Sequence, residues 1–314
     1  MNEENEKSDL PRLNWFPGHM KKAQRLIEEN LKLVDVVVEL RDARIPAASA
    51  NPMLAEIIAG KPRLIALNKS DLADPAETRA WLAYFRAQGV RAVAIDANKG
   101  KGMKQLTQAA EELARPKTEK YAKSGGRGRA ARCMILGIPN VGKSSLINRL
   151  AGAARTKVQN TPGVTRAKQW VRIGANLDLL DMPGVLWPKF EDMTVGLKLA
   201  FTGAINDDIY DQEQVAGLLL ETLRRTYPER LAERFRLTGE LPENGYDLIE
   251  LIGRKRGCLV KGGVIDTEKA VRIVMQEFRA GKLGLVTLDA VPVETEDAAD
   301  TAEPSETSKE EGRS

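Results

Sequence analysis

Eight consecutive residues, Gly137-Ile138-Pro139-Asn140-Val141-Gly142-Lys143-Ser144, carry the spacing Gly-x-x-x-x-Gly-Lys-Ser. Glycines at this spacing let backbone N–H groups close around phosphate oxygens, and the lysine and serine supply a cation and a Mg²⁺ ligand. Lys143 is therefore expected on the β- and γ-phosphates and Ser144 on Mg²⁺, with Pro139, Asn140, Val141, Gly142 and Ser145 in the same cradle. A second group, Asn68-Lys69-Ser70-Asp71, offers a carboxylate for a base. Asp71 can accept two hydrogen bonds from the N1–H and exocyclic amine of guanine, a donor pair that adenine lacks. In Asp181-Met182-Pro183-Gly184, Asp181 is expected to hold Mg²⁺ through water and Gly184 to offer its N–H to a γ-phosphate. Thr161-Pro162-Gly163-Val164-Thr165 lies between these last two groups. Thr165 is the first choice for a further Mg²⁺ ligand, with Thr161 as competitor. Asp96-Ala97-Asn98 is a weaker candidate for a guanine contact. Together these groups imply a guanine nucleotide bound with Mg²⁺ and hydrolysed.

Each group needs a rigid element behind it. Short apolar runs of the kind buried in parallel sheets occur at 34–40, 63–67, 90–95, 133–136 and 177–180. Four of them lead directly into the four groups that follow strands. Helical spacing appears at 18–32, where Met20, Ala23, Ile27 and Leu31 share a face, and at 76–88, 103–113 and 144–150. Strands alternating with helices predict a doubly wound, mostly parallel α/β domain. After about residue 190 only helical patterns remain, at 192–203, 211–226, 228–236, 245–252 and 266–281, which predicts a small all-helical second domain. Residues 115–132 combine Arg115, Lys117, Lys120, Lys123, Arg127, Arg129 and Arg132 with Ser124-Gly125-Gly126 and are expected to form a flexible basic linker. The expected layout is a disordered start at 1–11, a nucleotide domain at 12–190, a helical domain at 191–290 and a disordered acidic tail at 291–314.

The order of the groups is unusual. An ordinary GTPase runs phosphate loop, switch threonine, Asp-x-x-Gly, Asn-Lys-x-Asp and then the weak guanine contact. Here the two base-contacting groups, at 68–71 and 96–98, come first. Cutting the usual chain after Asp-x-x-Gly and joining its old ends gives this order, and the ends of a domain commonly lie close enough for a short linker. The fold predicted is thus a circularly permuted P-loop GTPase domain followed by helices.

With that order, Asn14-Trp15-Phe16-Pro17-Gly18-His19-Met20 and Asp42-Ala43-Arg44-Ile45-Pro46 make the chain resemble the circularly permuted GTPases of ribosome assembly over about residues 12–290. From the residues alone, these two segments read as a turn before a helix and a polar loop after a strand. The resemblance implies a slow GTPase switch in late assembly of the large (50S) ribosomal subunit, stimulated by that subunit. It would bind rRNA and pre-ribosomal particles in its GTP form and leave after hydrolysis. Ribosomal proteins are further implied partners, and neither DNA nor a membrane is expected. The catalytic glutamine of ordinary GTPases is replaced here by Val185, and the resemblance gives its part to His19, the single histidine. Lys143 is the other catalytic candidate. The resemblance also implies that Asn140 helps to coordinate K⁺ beside the phosphates. Its rRNA contacts would fall on the helical domain, at Arg254, Lys255, Arg256, Lys261, Lys269 and Arg272. The alternative is a non-catalytic RNA-binding assembly factor with guanine nucleotide as a structural ligand.

Composition agrees with a polyanionic partner. The chain has 314 residues and a net charge of +4, yet residues 291–314 hold eight acids against Lys309 and Arg313. Residues 1–290 therefore carry +10, the sign expected of a protein that meets nucleic acid. No apolar run approaches the roughly 20 residues of a membrane span, and the acidic first residues lack the pattern of a signal peptide. Cys133 and Cys258 show no metal-ligand or redox spacing and are expected to be reduced core residues of a cytoplasmic protein.

Overall fold

The computed structural model describes residues 20–126, 129–152, 169–187, 190 and 192–292. Six strands form one sheet: β1 (Val36–Asp42), β2 (Arg63–Asn68), β3 (Arg91–Ala94), β4 (Ala131–Gly137), β5 (Gln169–Ile173) and β6 (Leu177–Asp181). Their order is β3-β2-β1-β4-β6-β5, all parallel except β5, which pairs antiparallel with β6. The chain walks outward from β1 to β3 and then returns to β4 on the other side of β1. The order reverses between β1 and β4, the switch point where ligands bind in open α/β sheets. The sheet is the doubly wound, mostly parallel one predicted.

Helices cover the sheet because the strands are apolar on both sides. In β2, Leu64 and Ala66 join one core, while Ile65 and Leu67 face a second one with Ala43, Ala73, Trp81 and Phe85, as a period of two requires. Ala23 and Ile27 of α1 (Met20–Leu31) lie in the larger core. The short α2 (Pro52–Ile57) follows β1, and α3 (Pro75–Ala87) follows β2, with Asp74 capping it through the Ala76 N–H. Next come α4 (Met103–Lys123) and, after β4, α5 (Lys143–Ala151).

The basic linker is shorter than expected. Residues 115–123 are the last turns of α4, despite Pro116 inside it. Ala109, Ala110 and Ala114 bury the inner face of this helix, so its charges fall on the solvated side. Lys117 reaches Asp35 at 3.3 Å, and Arg129 grips the same carboxylate at 2.7 and 2.8 Å. Burial opposes the Asp35 charge, but these partners outweigh it and hold the carboxyl below its usual range. The basic stretch thus fastens the chain to the start of β1.

The remaining helices are α6 (Met193–Phe201), α7 (Gln212–Thr226), α8 (Pro228–Phe235), α9 (Gly245–Lys255) and α10 (Thr267–Arg279). Asp192, Asp211, Asn244 and Asp266 cap α6, α7, α9 and α10 through side-chain oxygens. The core of these helices is continuous with that under the sheet. Cys133 and Cys258 are buried free thiols. No helix among the described residues is long and apolar enough to cross a membrane.

Candidate functional site

The four strand-following groups lie on one edge of the sheet although they are scattered along the chain. Asn68-Lys69-Ser70-Asp71 leaves the carboxyl end of β2, Asp96-Ala97 follows β3, the phosphate loop follows β4, and Asp181 ends β6. Parallel strands point these ends the same way. Asn68 is the cross-piece. Its Nδ2 donates to the Val141 carbonyl at 2.8 Å, and its Oδ1 accepts from the Ala97 N–H at 3.0 Å. The side chain is 2% exposed, so it is committed to joining the base-contacting loops to the phosphate loop. Gly142 is required at the join: its φ is 101°, and a Cβ there would come within 2.4 Å of Asn68 Nδ2. Lys69 and Asn140 also stand at positive φ, 60° and 54°, in a region non-glycine residues seldom enter.

At the phosphate end, Lys143 is buried and donates from Nζ to the carbonyls of Ile138 (3.0 Å) and Gly137 (3.3 Å). Burial pushes its ammonium down to about 8, against the pull of Asp181. Gly184 abuts this loop, since a Cβ on it would lie 2.9 Å from Pro139 Cα and 3.0 Å from Lys143 Nζ. Asp181 is 2% exposed and its Oδ1 is buried without a hydrogen-bond partner. Burial raises its carboxyl above the usual range, while Lys143 and the Met182 N–H pull it back. A buried carboxylate oxygen beside a buried ammonium is an incomplete site. With Ser144 half-buried in the first turn of α5, it fits a hard cation of the Mg²⁺ type.

The base end is more fully paired. Asp71 Oδ2 meets Lys99 Nζ at 3.1 Å, an ion pair whose lysine is 73% exposed. Asp96 accepts the N–H groups of Asn98 and Lys99 on Oδ1, both at 2.9 Å, and so shapes its own loop. Lys69 Nζ lies 2.9 Å from Asp42 Oδ2 at the end of β1. Arg44 grips the same carboxylate with Nε at 3.0 Å and a terminal nitrogen at 2.8 Å. Burial opposes the Asp42 charge, but Arg44 and then Lys69 outweigh it and hold the carboxyl far below its usual range.

The segment 42–46, expected to be a polar loop, is instead buried and ties the two parts of the protein together. Arg44 is 1% exposed, lies 5.3 Å from the Phe278 ring centroid, and donates to the Phe278 carbonyl. The Ala47 and Ala48 N–H groups both donate to Asp289 Oδ2 at 2.8 Å, and Lys198 of α6 takes Asp289 Oδ1 at 2.7 Å. Asp42, Arg44 and Lys99 were missed as site residues. An Asp-x-Arg at a strand end and a lysine just past Asp96-Ala97-Asn98 were the only local signals.

The chain has close relatives of known family. Ribosome biogenesis GTPase A of Priestia megaterium is 52% identical over 278 residues, covering 88% of this chain and 96% of that protein. This chain belongs to the ribosome biogenesis GTPase A family. It is accordingly a GTPase. A family model described as "50S ribosome-binding GTPase" matches residues 132–225, from the phosphate-loop strand to α7. The solved GDP-bound and GNP-bound structures of YlqF from T. maritima each align with a TM-score of 0.57 at 30% and 29% identity. They cover 85% and 86% of this chain, and 99% and 98% of their own.

Other expected residues of this family member fall as follows. Val185 is 1% exposed, with its N–H on the Gly137 carbonyl and its carbonyl on Asn51 Nδ2, so its side chain has no water to orient. Asn140 Nδ2 donates to the Gly203 carbonyl beyond α6 at 2.7 Å. His19, Thr161 and Thr165 lie outside the described residues. Among the expected RNA contacts, Arg256 donates to both oxygens of Glu277 at 2.9 and 3.1 Å and stacks on Phe235. Its charge is committed inside the helical domain. Arg254, Lys255, Lys261, Lys269 and Arg272 are exposed.

Proposed function

We propose that this GTPase is a switch in late assembly of the large (50S) ribosomal subunit, binding rRNA and precursor particles in its GTP form and leaving after hydrolysis. The carrying observation is Asn68, which binds the phosphate loop and the Ala97 loop at once and so makes a single cleft from permuted segments. Family membership and the +10 charge of residues 1–290 support the ribosomal partner and its RNA, and we place the work in the cytoplasm with the precursors.

Within that cleft, Lys143 would exchange the carbonyls of Gly137 and Ile138 for β- and γ-phosphate oxygens. A phosphate is the stronger acceptor and restores the proton affinity that burial removes. Asp71 would leave Lys99 for guanine, where its two oxygens match two N–H donors. Ser144 and Asp181 would hold Mg²⁺, joined by Thr165 or, failing that, Thr161. Bound there, the ion would supply charge neutralisation to the phosphates. Gly184, against Pro139 and Lys143, would offer its N–H to the γ-phosphate. His19 would orient the attacking water that Val185 cannot reach. Asn140 would help to hold K⁺ through its amide oxygen, its Nδ2 being on the Gly203 carbonyl. Such turnover is slow until the subunit completes the site.

Single-turnover hydrolysis with and without large subunits tests this reading, alongside pelleting of precursors with non-hydrolysable GTP or GDP. We expect stimulation by the subunit and retention in the GTP form only. Equal retention with both nucleotides contradicts the switch, and unchanged stimulated turnover in His19→Ala removes His19 from it.

A further inference from the structure

Three of the eight exposed large apolar side chains among the described residues fall within six positions: Leu259 (52% exposed), Val260 (50%) and Val264 (63%). They sit on a finger between α9 and α10. The finger is a small hairpin in which Leu259 bridges Ile265, Val260 N–H donates to the Val264 carbonyl at 2.9 Å, and Asp266 N–H donates to Cys258 at 2.9 Å. Gly262 and Gly263 turn its tip at φ 92° and 77°. Its root is fixed by fully buried Cys258 and by Gly253, where a Cβ would press on Ile265 at 2.9 Å. The chain therefore holds an apolar tip in water on a built support, at a cost that binding would recover. Lys261 stands at that tip, and Arg254 and Lys255 stand at the end of α9 beside the root. Lys255 and Lys261 make no ion pair among the described residues, and Arg254 reaches only Glu250, at 3.6 Å, while staying 67% exposed.

We propose that this finger docks in the shallow minor groove of a double-helical RNA segment. Leu259, Val260 and Val264 would lie against riboses and base edges, and Arg254, Lys255 and Lys261 against the phosphates. The proposal rests on the rRNA-binding reading above and adds the apolar contact to it. An A-form minor groove is wide, shallow and flanked by two rows of phosphate, so it accepts a blunt apolar tip with basic shoulders. A second copy of this chain fits poorly, because residues 1–290 carry +10 and would repel their like.

The two kinds of contact separate by their salt dependence. Phosphate contacts release counterions and set the slope of affinity against salt, whereas apolar contacts shift affinity without changing it. Binding of the full chain to protein-free large-subunit rRNA is measured from low to moderate salt. Val260→Ser/Val264→Ser is expected to weaken binding about tenfold at every salt concentration with the slope unchanged. Lys255→Ala/Lys261→Ala is expected to lower the slope by about 2. Melting curves matching the parent tie any loss to the surface. If the double valine variant melts early, Val264→Ser alone carries the test with a several-fold loss. Parent-like affinity of the valine variant for this RNA overturns the proposal. So does a loss seen only with precursor particles, which would make the occupant a protein. Failure of the parent chain to bind this RNA instead defeats the rRNA reading itself.

Discussion

At the base-reading end of the cleft, Asp42 is held by Arg44 and Lys69, Asn68 has partners on both amide atoms, and Asp71 rests on Lys99. At the phosphate end, Asp181 Oδ1 is buried without a partner and Lys143 spends its ammonium on two backbone carbonyls. The first end is largely satisfied by the protein itself, with Asp96 Oδ2 left without a hydrogen bond 3.9 Å from Lys99 Nζ, and the second is left for a ligand to complete. A satisfied network fixes shape before the nucleotide arrives, while buried unpaired charge supplies a strong and selective demand for phosphate and metal. The satisfied end is fastened to the helical domain through Arg44 on Phe278 and Asp289 on Ala47 and Ala48, and the phosphate loop through the bond of Asn140 to the Gly203 carbonyl. In the proposed reading, base recognition would ride on this braced frame, and change with the γ-phosphate would fall mainly to the other end.

Four changes sharpen or break this contrast. Lys143→Met keeps the stem and removes the charge, so GTP affinity and turnover should fall about 100- to 1000-fold in nucleotide-binding and hydrolysis assays. The nucleotide-free protein should melt close to the parent, since relief from burying the ammonium offsets the loss of its bonds to the Gly137 and Ile138 carbonyls. Arg44→Leu should do the reverse. It leaves Asp42 buried with Lys69 as its one remaining cation among the described residues and should cost about 3 kcal/mol in urea unfolding, with a smaller effect on phosphate binding. Third, Lys143 should make the nucleotide-free protein gain stability as pH rises from about 8 to about 9, above which the buried Cys133 thiol and Tyr210 hydroxyl, both pushed up by burial, work against the gain. The unfolded chain keeps the Lys143 proton up to about 10.5 and the folded chain only to about 8, so the unfolded state holds more protons in that window. The gain has an upper bound of about 3 kcal/mol, and Lys143→Met should flatten it. Smallest is Lys99→Ala: an exposed pair contributes under about 1 kcal/mol, so melting should barely move, and freeing Asp71 should tighten guanine nucleotides by a few-fold at most.

Legibility followed the range of the interactions. The phosphate loop, Asn-Lys-x-Asp and Asp-x-x-Gly could be read because each closes its chemistry within a few residues after an apolar strand. The strand β5 escaped because it is an antiparallel edge, with Trp170 exposed and Arg172 breaking any continuous apolar run. Six-residue α2 is too short to show a period. The basic run from Arg115 reads as a linker, yet the buried face through Ala114 carries α4 on to Lys123. Asp42 and Arg44 were quoted for resemblance alone, because their partners at Lys69, Phe278 and the Asp289 segment are remote in sequence. Asn68 is expected on the nucleotide, and its bonds to Val141 and Ala97, which join two loops, could not be read from local sequence.

The central claim is that one cleft, assembled from permuted segments, grips phosphate with Lys143 and reads guanine with Asp71. The most direct measurement is competition among GTP, xanthosine triphosphate and ATP for the parent chain and for Asp71→Asn. The substituted amide offers a donor to the C2 carbonyl of xanthine and keeps only one of the two acceptors guanine needs. GTP affinity should therefore fall about 100-fold while xanthosine triphosphate gains on it, with ATP weak throughout. An Asp71→Asn protein that still preferred GTP as the parent does would contradict the account.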